Sequence, residues 1–224
     1  MFSSIKAFFE EGGFFMYVNL VTSVATIAII VERIIFLVFK YNINGEAFME
    51  QIQKLVMQNQ IDRAIKLCNA APTAALPRVI RAGLTRANKN ELEIQAAVEE
   101  AILDVLPGLK KRTDNLQHIA NIATLIGLLG TVTGLIRAFG AVALASADQK
   151  AMILSKGISE AMNNTAFGLS IAVTCIIAHL FLSNTTRKII DELDQYSVKL
   201  INMLYLRTKG DLNPLDRTAS SQQQ

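Results

Sequence analysis

The stretch IATLIGLLGTVTGLIRAF, Ile122 to Phe139, decides the fold: it is apolar enough to cross a membrane, yet it is not built as a simple anchor. Leucine and isoleucine alone would satisfy lipid. Instead Gly127, Gly130 and Gly134 recur among Thr124, Thr131 and Thr133, and a charge, Arg137, stands near the end. Residues three and four apart share one face of a helix, so Ala120, Ala123, Gly127, Gly130 and Gly134 form a single stripe. Small stripes let helix backbones approach, which is how membrane helices associate where hydrophobicity cannot drive them together.

Two further apolar runs flank this one. Phe14 to Val31 carries no charge, and at ~1.5 Å per residue it covers roughly 27 Å, close to the thickness of a hydrocarbon core. Ala161 to Asn184 is also uncharged and has its own small stripe, Ala161, Thr165, Gly168, Ala172 and Cys175. Three spans predict an all-α integral membrane protein with its termini on opposite sides. Basic residues settle the direction: Lys40 and Lys54 follow the first span, Lys110, Lys111 and Arg112 precede the second, and Arg187, Lys188 and Lys199 follow the third. The N-terminus is therefore expected outside and the C-terminus in the cytoplasm.

The boundaries that follow are an interfacial amphipathic segment at 1–13, span one at 14–40 and a cytoplasmic helical region at 41–112. Span two then takes 113–147, an outer connection 148–157, and span three 158–184. A cytoplasmic helical extension with a disordered tail fills 185–224. Within the cytoplasmic region, apolar residues recur at three- and four-residue spacing, and Pro72 and Pro77 break the pattern. A helix is expected to run unbroken from about Asn90 through KKRTDN into span two, so that spans two and three both extend into the cytoplasmic region. The first run follows Glu10, Glu11 and paired glycines without a basic segment before it, so it is read as a span and not as a cleavable signal.

Composition excludes other classes. The 224 residues carry a net charge of only +3 with no dense basic cluster, which does not predict nucleic-acid binding. Cys68 and Cys175 are far apart and the second lies in an apolar run, so neither a disulfide nor a metal site is indicated. With His118 and His179 as the sole histidines and no phosphate loop or nucleophile motif, no enzyme and no cofactor are expected.

LIGLLGTVTGLIRAF, together with ISEAMNNTAFGLSIAV (Ile158 to Val173) and Glu32, Arg33 and Leu37, resembles the MotA/TolQ/ExbB proton-channel family. Three spans and a long insertion after the first resemble its TolQ/ExbB branch. The resemblance implies a subunit that forms a ring, a pentamer in the family pattern, around a dimer of a single-span ExbD/TolR-like partner. The partner's transmembrane aspartate would carry the ion, and the site would be the bacterial inner membrane. It also places the family's pore threonines on Thr131 and Thr165, its span-three glutamate on Glu160 and its span-one glutamate on Glu32. No Asp or Glu stands at the level of the two threonines, which agrees with a carboxylate supplied by another chain, because a proton path through hydrocarbon needs a titratable carrier. The chain departs from the family by carrying Thr124 and Thr174 where prolines are usual.

The expected function is a stator-like subunit that couples proton flow to envelope transport, envelope maintenance or gliding motility. A sodium-driven stator and a non-conducting scaffold are the alternatives, since hydroxyl oxygens also help hold Na⁺ and threonines can bond to their own helix. Glu32 and Arg33 are read as interfacial residues, and His118 and His179 as interfacial anchors or a cytoplasmic exit at similar depth. Arg137 and Glu160 fall at nearly one level above the threonines, where an ion pair near the outer mouth is expected alongside the alternative that Arg137 snorkels and Glu160 faces water.

Overall fold

The computed structural model describes residues 13–41 and 43–208. The interfacial segment and the tail expected at the two ends therefore lie almost wholly outside the described residues. All regular structure among the described residues is helical. α1 spans Gly13–Ile34 and runs on as a π-helical stretch, Ile35–Tyr41. Four shorter helices follow: α2 (Gly45–Met57), α3 (Ile61–Asn69), α4 (Ala75–Thr85) and α5 (Glu91–Lys110). The last two, α6 (Asn115–Leu144) and α7 (Ala147–Thr208), are the longest. Three helical segments are long and apolar enough to cross a membrane, those containing α1, α6 and α7. In hydrocarbon every backbone N–H and C=O must find a partner inside the chain, and a continuous helix provides that.

The chain divides into two compact units. Among the described residues, one comprises 13–33 and 112–183, and the other 34–41, 43–111 and 184–208. In the second unit the sequence signals act as local chemistry predicts. The Asn44 side chain caps α2 by accepting from Ala47 N–H at 3.1 Å, and Asn90 caps α5 by accepting from Glu93 N–H at 2.8 Å. Pro72 lies in the turn before α4, and Pro77 in its first turn, where a missing N–H is tolerated. Met49, Ile52, Val56, Ile80, Leu84, Ile94 and Val98 are fully buried there. Gly83 is needed because a methyl on it would meet Leu200 and Val98 at 2.7 and 2.9 Å. Cys68 lines a cleft of about 380 Å³ with Arg81, and burial pushes its thiol up to about 12, against the opposing pull of that guanidinium.

One expectation is corrected. The helix from Asn90 does not run unbroken into span two: α5 ends at Lys110, and residues 111–114 turn, with Arg112 in the left-handed region at φ 61°. That conformation usually ends a helix at glycine, so no sequence signal marks it. The segment 148–157 is helical and forms the first turns of α7, while the chain reverses at Ala145 and Ser146.

In the first unit α6 and α7 run antiparallel and nearly touch. A methyl on Gly127 would lie 3.3 Å from Thr165 Cα, one on Gly134 3.1 Å from Ala161 Cβ, and one on Gly157 2.2 Å from Ala138 Cβ. α1 runs parallel to α7, with Thr26 beside Cys175 and Asn19 beside Gly168. Gly168 makes the closest approach to backbone atoms, because a methyl there would lie 2.6 Å from the Ala123 carbonyl oxygen and 3.1 Å from Gly127 Cα. Gly140 has open space. Gly168→Ala should therefore destabilise the detergent-solubilised protein by about 1–3 kcal/mol in a denaturant titration, the usual cost of overpacking. Gly140→Ala should stay within about 0.5 kcal/mol of the parent.

Candidate ion pathway

The glycine stripe of α6 brings the two threonines of the sequence analysis together. Thr131 and Thr165 hydrogen-bond to each other through their hydroxyls. Thr131 Oγ1 is also 3.2 Å from the Gly127 carbonyl and 3.3 Å from that of Ala161, and Thr165 Oγ1 is 3.2 Å from Gly127 O. Two hydroxyls hold two protons, so one donates to its partner and the other to a carbonyl. Either threonine can take either part. The cluster is a satisfied hydroxyl clasp whose direction reverses when both protons rotate.

Polar groups extend from it along α7. Asn164 is 2% exposed, donates from Nδ2 to the Glu160 carbonyl at 3.2 Å, and lies where a methyl on Gly130 would collide at 2.8 Å. Thr124 and Thr174 each donate one turn back, to Ala120 O at 3.0 Å and Ser170 O at 2.9 Å. Arg137 and Glu160 converge on Gly13, the left-handed first residue of α1 at φ 67°. A methyl on Gly13 would lie 2.6 Å from Glu160 Oε1 and 3.8 Å from Arg137 Nη1. No ion pair between these two charges is among those of the described residues.

The remaining expected residues separate. Glu32 is ion-paired with Arg112, both sides about half exposed, which is worth about 0–1 kcal/mol. Arg33 points elsewhere and is 2% exposed, as consecutive helical residues must diverge. His179 donates from Nδ1 to the Thr113 carbonyl at 3.0 Å, since a carbonyl only accepts, and His118 is exposed. The structure does not bring the two histidines into one group.

Sequence reasoning missed a polar stripe on α1. Asn19, Thr26 and Arg33 are buried at seven-residue spacing, on the face that includes Met16. Thr26 donates to Thr22 O at 2.9 Å and receives the Cys175 thiol at 3.6 Å. Asn19 is 0% exposed, and neither its Nδ2 nor its Oδ1 has a partner among the described residues. An unpaired buried amide ordinarily costs about 1–3 kcal/mol. The repeat was present in the sequence, but isolated Asn and Thr among Val and Ile barely lower the mean hydropathy.

Three helices long and apolar enough to cross a membrane, two of them clasped through glycines around a hydroxyl pair, define a membrane protein with a polar seam between its helices. Residues 71–195 match the MotA/TolQ/ExbB proton channel family, and this chain belongs to that family. It is 30% identical over 187 residues to the putative biopolymer transport protein ExbB-like 3 of Synechocystis sp., which covers 83% of this chain and 87% of that protein. It is also 30% identical over 106 residues to the Tol-Pal system protein TolQ of Haemophilus influenzae, 47% and 46% of the two chains. A putative biopolymer transport protein ExbB homolog of Methanothermobacter thermautotrophicus is 28% identical over 130 residues, 57% and 44% of the two chains.

The clasp predicts a measurable coupling. In a cycle of Thr131→Val, Thr165→Val and the double variant, unfolding in detergent should give an interaction energy of about 0.6 kcal/mol and at most about 1.7 kcal/mol, the range of interhelical hydrogen bonds in membranes. Each single variant leaves a hydroxyl that still reaches Gly127 O, so neither should unfold the protein. Purely additive losses would show that the hydroxyls do not meet.

Proposed function

We propose that this chain is the channel-forming subunit of an inner-membrane motor, in which a ring of copies surrounds a single-span ExbD/TolR-like partner that brings the ion-carrying carboxylate. The observation that carries the reading is the convergence of Thr131 and Thr165 at one level of the α6–α7 seam. Their carbonyl partners lie within 3.3 Å, and the match to a proton channel family supports the same reading. The names of the relatives, biopolymer transport proteins and a Tol-Pal component, favour work on the cell envelope. In this reading a pentamer encloses a partner dimer, the N-terminus faces the periplasm and the C-terminus the cytoplasm. H⁺ is the ion, and the machine served is one of envelope transport, envelope maintenance or gliding motility.

Hydroxyls at this level suit proton handover. A hydroxyl accepts a hydrogen bond from a protonated carboxyl and donates one to a carboxylate, so a pair that rotates together follows the partner's acid through its cycle. Arg137 and Glu160, flanking Gly13, supply the outer mouth, and the expected ion pair between them would form in the assembled ring. One observation favours the scaffold alternative: each threonine is satisfied within the chain, as a pure packing clasp would be.

Proton flux through membrane vesicles of the native host, driven by an imposed gradient, separates the two. The Thr131→Val, Thr165→Val variant at normal protein level should conduct about tenfold less, equivalent to ~1.4 kcal/mol at the barrier. Full flux from that variant would sink the assignment, and flux that requires Na⁺ in place of a proton gradient would establish the sodium-driven alternative.

A further inference from the structure

Asn19 is a buried polar group of the membrane unit that the reading above does not use. It lies on α1 at the junction with α6 and α7, is 0% exposed, and both polar atoms of its amide lack a partner among the described residues. Full burial within one chain means that neither lipid nor a neighbouring copy reaches it. A group of this kind marks a missing partner, and buried polar groups without protein partners are ordinarily bound by internal water.

The surroundings say which partner fits. The point where a methyl on Gly168 would stand is 3.3 Å from Asn19 Nδ2 and 2.6 Å from the Ala123 carbonyl oxygen. A donor and an acceptor thus stand on either side of the close backbone contact at Gly168, with no side chain of residue 168 between them. A helix carbonyl keeps a second lone pair beyond its helix bond, so Ala123 O accepts one more hydrogen. The amide offers two donors and one acceptor. A cation would use Oδ1 and leave Nδ2 opposed to it. Water donates to Oδ1 or Ala123 O and accepts from Nδ2, so it meets every demand.

We propose that the Asn19 amide holds an internal water between α1 and the α6–α7 crossing, and that this water extends the polar seam of Thr131 and Thr165 to α1. Gly168 lies one turn from Thr165 on α7, and the carbonyl of Gly127, one turn beyond Ala123 on α6, is the acceptor that both threonines share. Polar groups then follow one another at helical pitch from Asn19 to Asn164. The water itself stands on geometry alone, whereas its effect on conduction rests on the channel reading.

Two measurements test it on the assembled complex. A structure at a resolution that shows ordered water should reveal density within hydrogen-bond distance of the Asn19 amide. An amide bonded directly to protein atoms, or a dry contact, overturns the proposal. In vesicles, Asn19→Leu keeps similar volume and removes both polar atoms. It should leave protein level unchanged and lower proton flux about tenfold, while Asn19→Ser, which keeps a hydroxyl and leaves room for water, should retain most of the flux. Undiminished flux from Asn19→Leu beside reduced flux from Thr131→Val, Thr165→Val overturns the role of the water and leaves the channel reading standing. Undiminished flux from both defeats the channel reading instead. Should Asn19→Leu fail to assemble, Asn19→Ser is compared with Asn19→Ala: greater flux from the serine variant supports the proposal, and equal flux overturns it.

Discussion

The backbone-close crossing of α6 and α7 is the contact on which the rest of this membrane unit depends. Gly127, Gly130 and Gly134 on one helix and Gly168 on the other remove the side chains that would hold the axes apart. Lipid is as apolar as leucine, so the gain comes from dispersion between backbones and from hydrogen bonds that short distance makes possible. Thr131 and Thr165 meet for that reason and no other. Were a methyl at Gly168 to push against Ala123 O and Gly127 Cα, the hydroxyls one turn away would separate.

The same crossing positions the charged end of the unit. Glu160 leaves α7 about a turn and a half before Thr165, and Arg137 leaves α6 about two turns after Thr131, so both reach the first residue of α1. Only a glycine with positive φ admits them there. α1 is thereby part of the polar architecture and not a passive anchor: its Asn19, Thr26 and Arg33 stripe faces inward, while Val21, Val24 and Ile27 face outward.

Much of this was legible in the sequence, for identifiable reasons. Glycines at three- and four-residue spacing within an apolar run announce a helix contact, so the stripes of spans two and three could be read directly, and with them the Thr131–Thr165 pair. The polar stripe of α1 escaped because hydropathy averaging hides three residues seven apart. The break at 111–114 escaped because Arg112 adopts a left-handed conformation with neither Gly nor Asn to signal it. The outer connection expected at 148–157 is built as the first turns of α7, where Asp148 and Gln149 suit a helix N-terminus. Asn164 lay within the recognised motif, yet its packing on Gly130 depends on a helix register that no single segment reveals.

The central claim is that register: α6 and α7 meet antiparallel so that Thr131 stands opposite Thr165. Oxidative cross-linking reads it most directly, in the membrane and with Cys68 and Cys175 replaced. A methyl on Gly134 would stand 3.1 Å from Ala161 Cβ, near the ~3.8 Å typical across a disulfide. The paired variant Gly134→Cys, Ala161→Cys should therefore close rapidly within one chain. Gly134→Cys, Ala172→Cys, displaced along α7 by roughly 16 Å at helical rise, should not close. Efficient closure of the second pair, or failure of the first at full protein level, would contradict the register and with it the meeting of the two threonines.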